Sequence, residues 1–453
     1  MQLEKIFKLQ QKGTNVRTEV IAGATTFATM AYILAVNPNI LSVTGMDRNA
    51  IFVATALAAA VGSILMGLMA NLPFALAPGM GLNVFFAFSV CCGMGYSWQD
   101  ALLAVAVEGV IFVVLSVTHV RQAIFNAIPE VLKKAISVGI GLFIILIGLI
   151  NAAIVVKDDS TVVALNDFRT VDPAVRMGMI LTIVGLLIIG ILHIKKVKGS
   201  ILIGIVVTWV IGMILQGVGV YVPSPDSGMY SLFPDFSQGT QISSISLTFF
   251  KFNFSRILEV RFWIVVISFL FVDMFDTMGT LIGVAMKSDM LDEKGELPRL
   301  TWALLADAIA TIIGAILGTS TTTTYVESSA GVAEGGKTGL TATTTGILFA
   351  LALFLSPIFL AIPSFATAPA LIMVGVMMIE AILKIDASDY SNWIPAVLCI
   401  IGMPFCYSIS EGICWGVISY TVFKLFTGKR KEVQPAMIVL TVLFVVKYFI
   451  IWQ

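Results

Sequence analysis

The chain has 453 residues, 58% of them apolar and 12% charged; lysine plus arginine balances aspartate plus glutamate at 27 each, and mean hydropathy is +0.98. That balance excludes a soluble globular domain and leaves no basic surface for nucleic acid. It defines a polytopic membrane protein, because apolar stretches of roughly 17 to 25 residues, long enough to cross a hydrocarbon core, recur along most of the chain.

The polar, basic opening MQLEKIFKLQQKGTNVRTEV leads into an apolar stretch too long for a cleaved leader, so residues 1–18 are expected as a cytoplasmic tail. Fourteen spans are predicted, at 19–37, 51–70, 72–90, 100–118, 131–151, 176–194, 201–219, 262–285, 301–318, 319–336, 338–361, 366–384, 392–408 and 411–427. Lys5, Lys8, Lys12, Arg17, Arg121, Lys133, Lys134 and the segments HIKKVKG, KSDMLDEKGELPR and GKRK then share one face, which positive-inside counting makes cytoplasmic. The closing stretch AMIVLTVLFVVKYFIIW is short and carries Lys447, so it is expected at the interface or packed on the bundle edge. Cys91, Cys92, Cys399, Cys406 and Cys414 lie in apolar context and read as packing residues, with neither disulfide nor metal expected. Both histidines, His119 and His193, fall at cytoplasmic span ends, so a proton crossing the membrane has to use carboxylates. No phosphate loop, nucleophile elbow or zinc signature occurs; no enzyme activity and no cofactor are expected, and an ATP-driven pump is excluded for this chain alone.

The two halves resemble each other. FATMAYIL (Phe27 to Leu34) matches FDTMGTLI (Phe275 to Ile282), VGSIL (Val61 to Leu65) matches IGAIL (Ile313 to Leu317), and SILIGIV in span seven is a weaker match to GICWGVI in span fourteen. Seven spans repeated at an odd offset have opposite orientations, the inverted-repeat plan of secondary transporters. Under this repeat spans three and ten correspond, and both are poor continuous helices. Span three carries Pro73, Pro78, Gly79 and Gly81 within nine residues. Span ten carries TSTTTTYV, whose β-branched residues favour extended backbone, before ESSAGVAEG can turn helical. Each is expected as a short extended piece followed by a half-helix, the half-helices starting near Asn83 and Glu327 with free amides converging at mid-membrane.

In span eight Asp273, Asp276, Thr277 and Thr280 lie at i, i+3, i+4 and i+7, one polar stripe on a membrane helix, matched in span one by Thr25, Ala28, Thr29 and Tyr32. Ionisable groups at that depth cost about 2.5 to 3.5 kcal/mol or more and mark substrate or proton paths. Glu108, Asp307 and Glu380 are single acids, each as well suited to a neighbouring helix as to a relay.

The stretches AGATTFATMAYIL, NPNIL, APGMGLN, DMFDTMGTLIG and TSTTTTYVESSAGVAEGGKTGLTA resemble the AzgA-type purine permeases of the nucleobase–cation (nucleobase–ascorbate) symporter superfamily, over essentially the whole chain. The resemblance implies an all-α polytopic fold of fourteen spans in a seven-plus-seven inverted repeat. Residues 19–118 and 262–361 would form a core domain, 131–219 and 366–427 a gate domain, and 428–453 a basic loop with an apolar C-terminal segment. It further implies uptake of a purine base with protons, no cofactor, a homodimer through the gate, and residence in the plasma (inner) membrane of a bacterium. The family's binding positions fall on Gly81, Asn83, Asp273, Asp276 and Glu327, all of the expected type. Thr324, with Phe85, Phe86 or Tyr325 as a stacking ring, completes the expected substrate site, and Asp276, Asp273 and Glu327 are the proton candidates. A carboxylate acceptor suits the N1–H face of guanine and hypoxanthine, which are favoured over adenine. The competing readings are an anion transporter of the same architecture, which a carboxylate at Glu327 opposes, an adenine-specific permease, and a membrane enzyme using the same acids.

Overall fold

The computed structural model describes residues 2–118, 128–158, 161–224, 227–235, 244–287, 290 and 297–451. His119, Arg121 and most of the segment KSDMLDEKGELPR lie outside them. The chain is mostly helical: α1 (Gln2–Phe7), α2 (Val16–Met30), α3 (Ile33–Leu41), α4 (Arg48–Leu65), β1 (Leu76–Pro78), α5 (Met80–Val84), α6 (Trp98–Val117), α7 (Glu130–Asn151), a β2–β3 hairpin (Val155–Asp158, Val162–Leu165), α8 (Pro173–Ile194), α9 (Ser200–Gly217), α10 (Val260–Lys287), α11 (Leu300–Leu317), β4 (Thr322–Thr324), α12 (Ser328–Ala333), α13 (Gly339–Leu351), α14 (Ser356–Leu360), α15 (Ser364–Ile379), α16 (Tyr390–Phe405), α17 (Ile409–Phe426) and α18 (Pro435–Ile451).

Ten helical stretches among the described residues are long and apolar enough to cross a bilayer. Four of the fourteen predicted spans fall short of that test, for visible reasons. Spans three and ten are interrupted, α16 has 16 residues, and α17 carries Glu411 and Lys424. The first span is itself broken at Ala31 and Tyr32, with α3 holding Pro38, which takes a donor out of the helix ladder. α18 runs antiparallel along α17 at the bundle edge: Thr441 donates to Thr421 Oγ1 (2.8 Å) and Tyr448 to Glu411 Oε2 (2.5 Å).

α6 packs on α11, and α13 packs on both α2 and α4; separately, α7 packs on α15 and α16, and α16 on α17. The first group closes tightly because its helices meet at glycine. A Cβ on Gly339 would stand 1.9 Å from the Gly67 carbonyl oxygen, so neither position has room for a side chain. Glu19, fully buried in α2, accepts from the amides of Lys337 (2.9 Å) and Thr338 (3.2 Å) and from the hydroxyls of Thr338 (2.8 Å) and Thr341 (2.6 Å). It thereby caps α13 from another helix and offsets the positive end of that helix.

Candidate functional site

β1 and β4 come from the two interrupted spans and pair antiparallel, Leu76 against Thr324, Ala77 against Thr323 and Pro78 against Thr322. Extended backbone at this depth survives only if its polar groups are satisfied by protein. The ribbon is extended by Gly79 N–H to Thr321 O and Tyr325 N–H to Ala75 O, each 3.0 Å. Its edges are covered by side chains: Ser63 bonds both the amide and carbonyl of Leu76 (2.9 and 3.0 Å), Ser328 accepts from Ala75 N–H (3.0 Å), and Thr311 donates to Thr322 O (2.9 Å).

The half-helices differ from the expectation. α5 begins at Met80 with Gly79 before it, so Asn83 lies one turn inside, its amide bonded to Gly79 O at 2.7 Å. Gly79, with no side chain to clash, is free to end the strand where Asn83 could not. α12 does open at Glu327, yet the amides of Ser328, Ser329 and Ala330 turn back onto Tyr325, Val326 and Glu327 carbonyls at 2.9 to 3.1 Å. Those three amides are therefore spent within the turn. The Glu327 side chain does not cap its own helix; Oε1 accepts from Tyr32 Oη at 2.7 Å.

Around the ribbon the predicted residues divide. Asp276 and Glu327 are partly exposed, as is Thr280. Asp276 lies beside Gly79, where a Cβ would stand 3.5 Å from its Oδ2. Asp273 is fully buried and accepts from Thr277 (3.1 Å), whose hydroxyl also meets Asp307 Oδ1 (2.9 Å) and Thr323 Oγ1 (2.6 Å). Asn83, buried, bridges the two spans: its Nδ2 donates to Pro78 O (3.3 Å) and its Oδ1 accepts from Ser320. Tyr325 is 5% exposed and donates to Pro78 O at 2.5 Å. Phe85 is buried edge-on against Phe269 (centroids 4.9 Å apart), a packing contact, and Gly81 approaches Ile140 of α7, where a Cβ would lie 2.9 Å from Cγ2. Strand alternation puts Thr324 on the face opposite Thr323, and it is Thr323 that reaches Thr277. Glu108 is buried and accepts from Thr321 at 2.9 Å, whereas Glu380 is exposed at the end of α15. Sequence reasoning missed Thr323 and gave Tyr32 no role beyond the polar stripe, which by itself says nothing of its partner Glu327.

Two interrupted spans joined by a buried ribbon and bordered by the largely buried carboxylates Asp276 and Glu327 define the scaffold of a membrane transporter. The chain belongs to the Permease family, which it matches over residues 17–414. The adenine permease AdeP of Escherichia coli is 43% identical over 445 residues, covering 98% of this chain and 95% of that protein. The guanine/hypoxanthine permease PbuG of Bacillus subtilis is 45% identical over 458 residues, covering 99% of each. Among solved structures, the transmembrane domain of the cyanobacterial bicarbonate transporter BicA superposes with a TM-score of 0.63 at 12% identity, covering 88% of this chain and 97% of that one. The murine solute carrier 26 family member A9, an anion transporter in the inward-facing state, gives 0.62 at 11% identity, covering 90% and 68%. At those identities the likeness is one of fold.

Proposed function

We propose that the chain imports purine nucleobases by proton symport, guanine and hypoxanthine ahead of adenine. Transport would run by elevator-like alternating access in a fourteen-span, seven-plus-seven inverted repeat, with 19–118 and 262–361 as core and 131–219 and 366–427 as gate. The observation that carries the reading is the pairing of β1 with β4 beside Asp276 and Glu327. One interruption from each half meets the other antiparallel, as a two-fold axis in the membrane plane would bring them. A flat neutral base with an N–H edge suits a carboxylate acceptor, and relatives at 43% and 45% identity are named for purines.

Support for a stored proton comes from Thr277. Its hydroxyl has one hydrogen and three neighbours, Asp273, Asp307 and Thr323. It donates to one and accepts from the others, so at least one of the two aspartates must carry a proton for all three contacts to be hydrogen bonds.

The test is uptake of radiolabelled hypoxanthine in competition with guanine, adenine, xanthine and uracil, with and without a protonophore. Competition by purines and loss of accumulation with the protonophore are expected. Indifference to every purine would remove the substrate assignment, and uptake untouched by the protonophore would remove the coupling. The fold shared with bicarbonate and anion transporters favours an anion as the second reading. Glu327 at the opening of α12 opposes it, and bicarbonate uptake by the same cells measures it.

A further inference from the structure

Tyr32 stands at the break in the first span, between α2 and α3, and is 1% exposed. Its position is fixed from outside the break, since Asn37 on α3 donates to Thr55 Oγ1 (2.7 Å) and Thr319 Oγ1 (2.9 Å). From there Tyr32 Oη reaches Glu327 Oε1 at 2.7 Å, 295 positions away, while Thr29 one turn earlier approaches the Glu327 carbonyl at 3.4 Å. Tyr32 is buried and Glu327 only partly so, which means the hydroxyl holds the carboxylate from the protein side. No hydrogen bond from another residue reaches Glu327 Oε2 among the described residues, although the Glu327 backbone amide also approaches its own carboxylate. One tyrosine hydrogen does not exhaust a carboxylate oxygen, but it turns Oε1 towards the protein side and leaves Oε2 as the oxygen turned away from Tyr32.

The geometry points to Tyr32 as a positioning residue that sets base selectivity by turning one Glu327 oxygen into the protein and presenting the other to the base. This rests on the purine reading above. A carboxylate free at both oxygens pairs in parallel with N1–H and the 2-amino group of guanine, an arrangement that hypoxanthine, lacking the amino group, cannot match. With Oε1 held, the base is recognised through one N–H at Oε2, and guanine and hypoxanthine bind alike.

The experiment measures dissociation constants of guanine and hypoxanthine for the purified full-length protein and for Tyr32→Phe. The ratio of the two constants cancels any general loosening of the site, which weakens both bases together. In the unmodified protein the two affinities are expected within about threefold, and Tyr32→Phe is expected to tighten guanine relative to hypoxanthine about tenfold, the worth of one further hydrogen bond to a charged group. A ratio unchanged by Tyr32→Phe overturns the inference while leaving purine binding intact. Should the variant not fold, the unmodified protein still decides, because guanine bound more than tenfold tighter than hypoxanthine overturns it. If no purine binds, the underlying reading falls first.

Discussion

Asn83 Oδ1 accepts a hydrogen bond from the hydroxyl of Ser320, 237 positions further along and on the other interrupted span. Both residues are fully buried. Asn83→Ala leaves Ser320 without that acceptor, while Pro78 O keeps Tyr325 as a donor. The expected cost is about 1–3 kcal/mol, seen as earlier thermal unfolding of the purified protein, with base affinity falling in parallel. Lost binding at an unchanged unfolding temperature would instead mean that Asn83 touches the base.

Glu327 is partly exposed beside the ribbon, whereas Glu380 is exposed at the end of α15. Glu327→Gln keeps the shape and removes the anionic acceptor, so uptake is expected to drop at least tenfold, about 1.4 kcal/mol. Glu380→Gln is expected to transport normally. Equal losses in the two variants would strip Glu327 of its assigned role.

Four donors converge on buried Glu19. Glu19→Ala strands them at the start of α13, for an expected loss of about 3 kcal/mol or more. Glu19→Gln, which retains one acceptor oxygen, should fall between. The readout is thermal unfolding in detergent, and an unshifted midpoint for Glu19→Ala would contradict the capping role.

Outside the spans, Asp389 precedes α16 and accepts from Lys429 Nζ (2.6 Å) and Ser391 Oγ (2.7 Å), with buried Lys424 at 3.4 Å. The Lys429 ammonium, then Ser391, hold the Asp389 carboxyl well below its usual value, and Asp389 in turn raises Lys429. A depressed aspartate contributes stability that is complete above its unfolded pKa of about 3.9 and is lost as pH falls towards the folded value. The raised lysine contributes stability that is lost only as pH climbs above about 10.5. The difference in unfolding midpoint between the unmodified protein and Asp389→Asn should therefore be flat from about pH 5 to 9 and shrink below pH 4. A difference that grows on acidification would refute the pairing.

The interruptions were legible because proline, glycine and a threonine run are local signals; Pro78, Gly79 and Thr322 to Thr324 act through their own backbone preferences. The acids of α10 were legible from helical spacing. What spacing could not divide is Asp276, partly exposed, from Asp273, buried with Thr277, since both sit on one stripe and only neighbouring helices separate them. Asn83 was expected at a helix start and lies one turn in, because Gly79 takes the starting position. Tyr32 and Glu19 depend on partners 295 and more than 300 positions away, a distance at which periodicity carries no information.

The β1–β4 ribbon also has a history in time. Pro78 and its partner Tyr325 are 247 positions apart, and at about 5–20 residues per second a ribosome needs roughly 12–50 s to traverse that distance. During that delay the first interrupted span sits in the bilayer with its strand edge unmatched, an arrangement hydrocarbon does not tolerate alone. The centre of the molecule accordingly cannot close before the second interrupted span is made, and the nascent first half needs a temporary companion, from the insertion machinery or from water, until then.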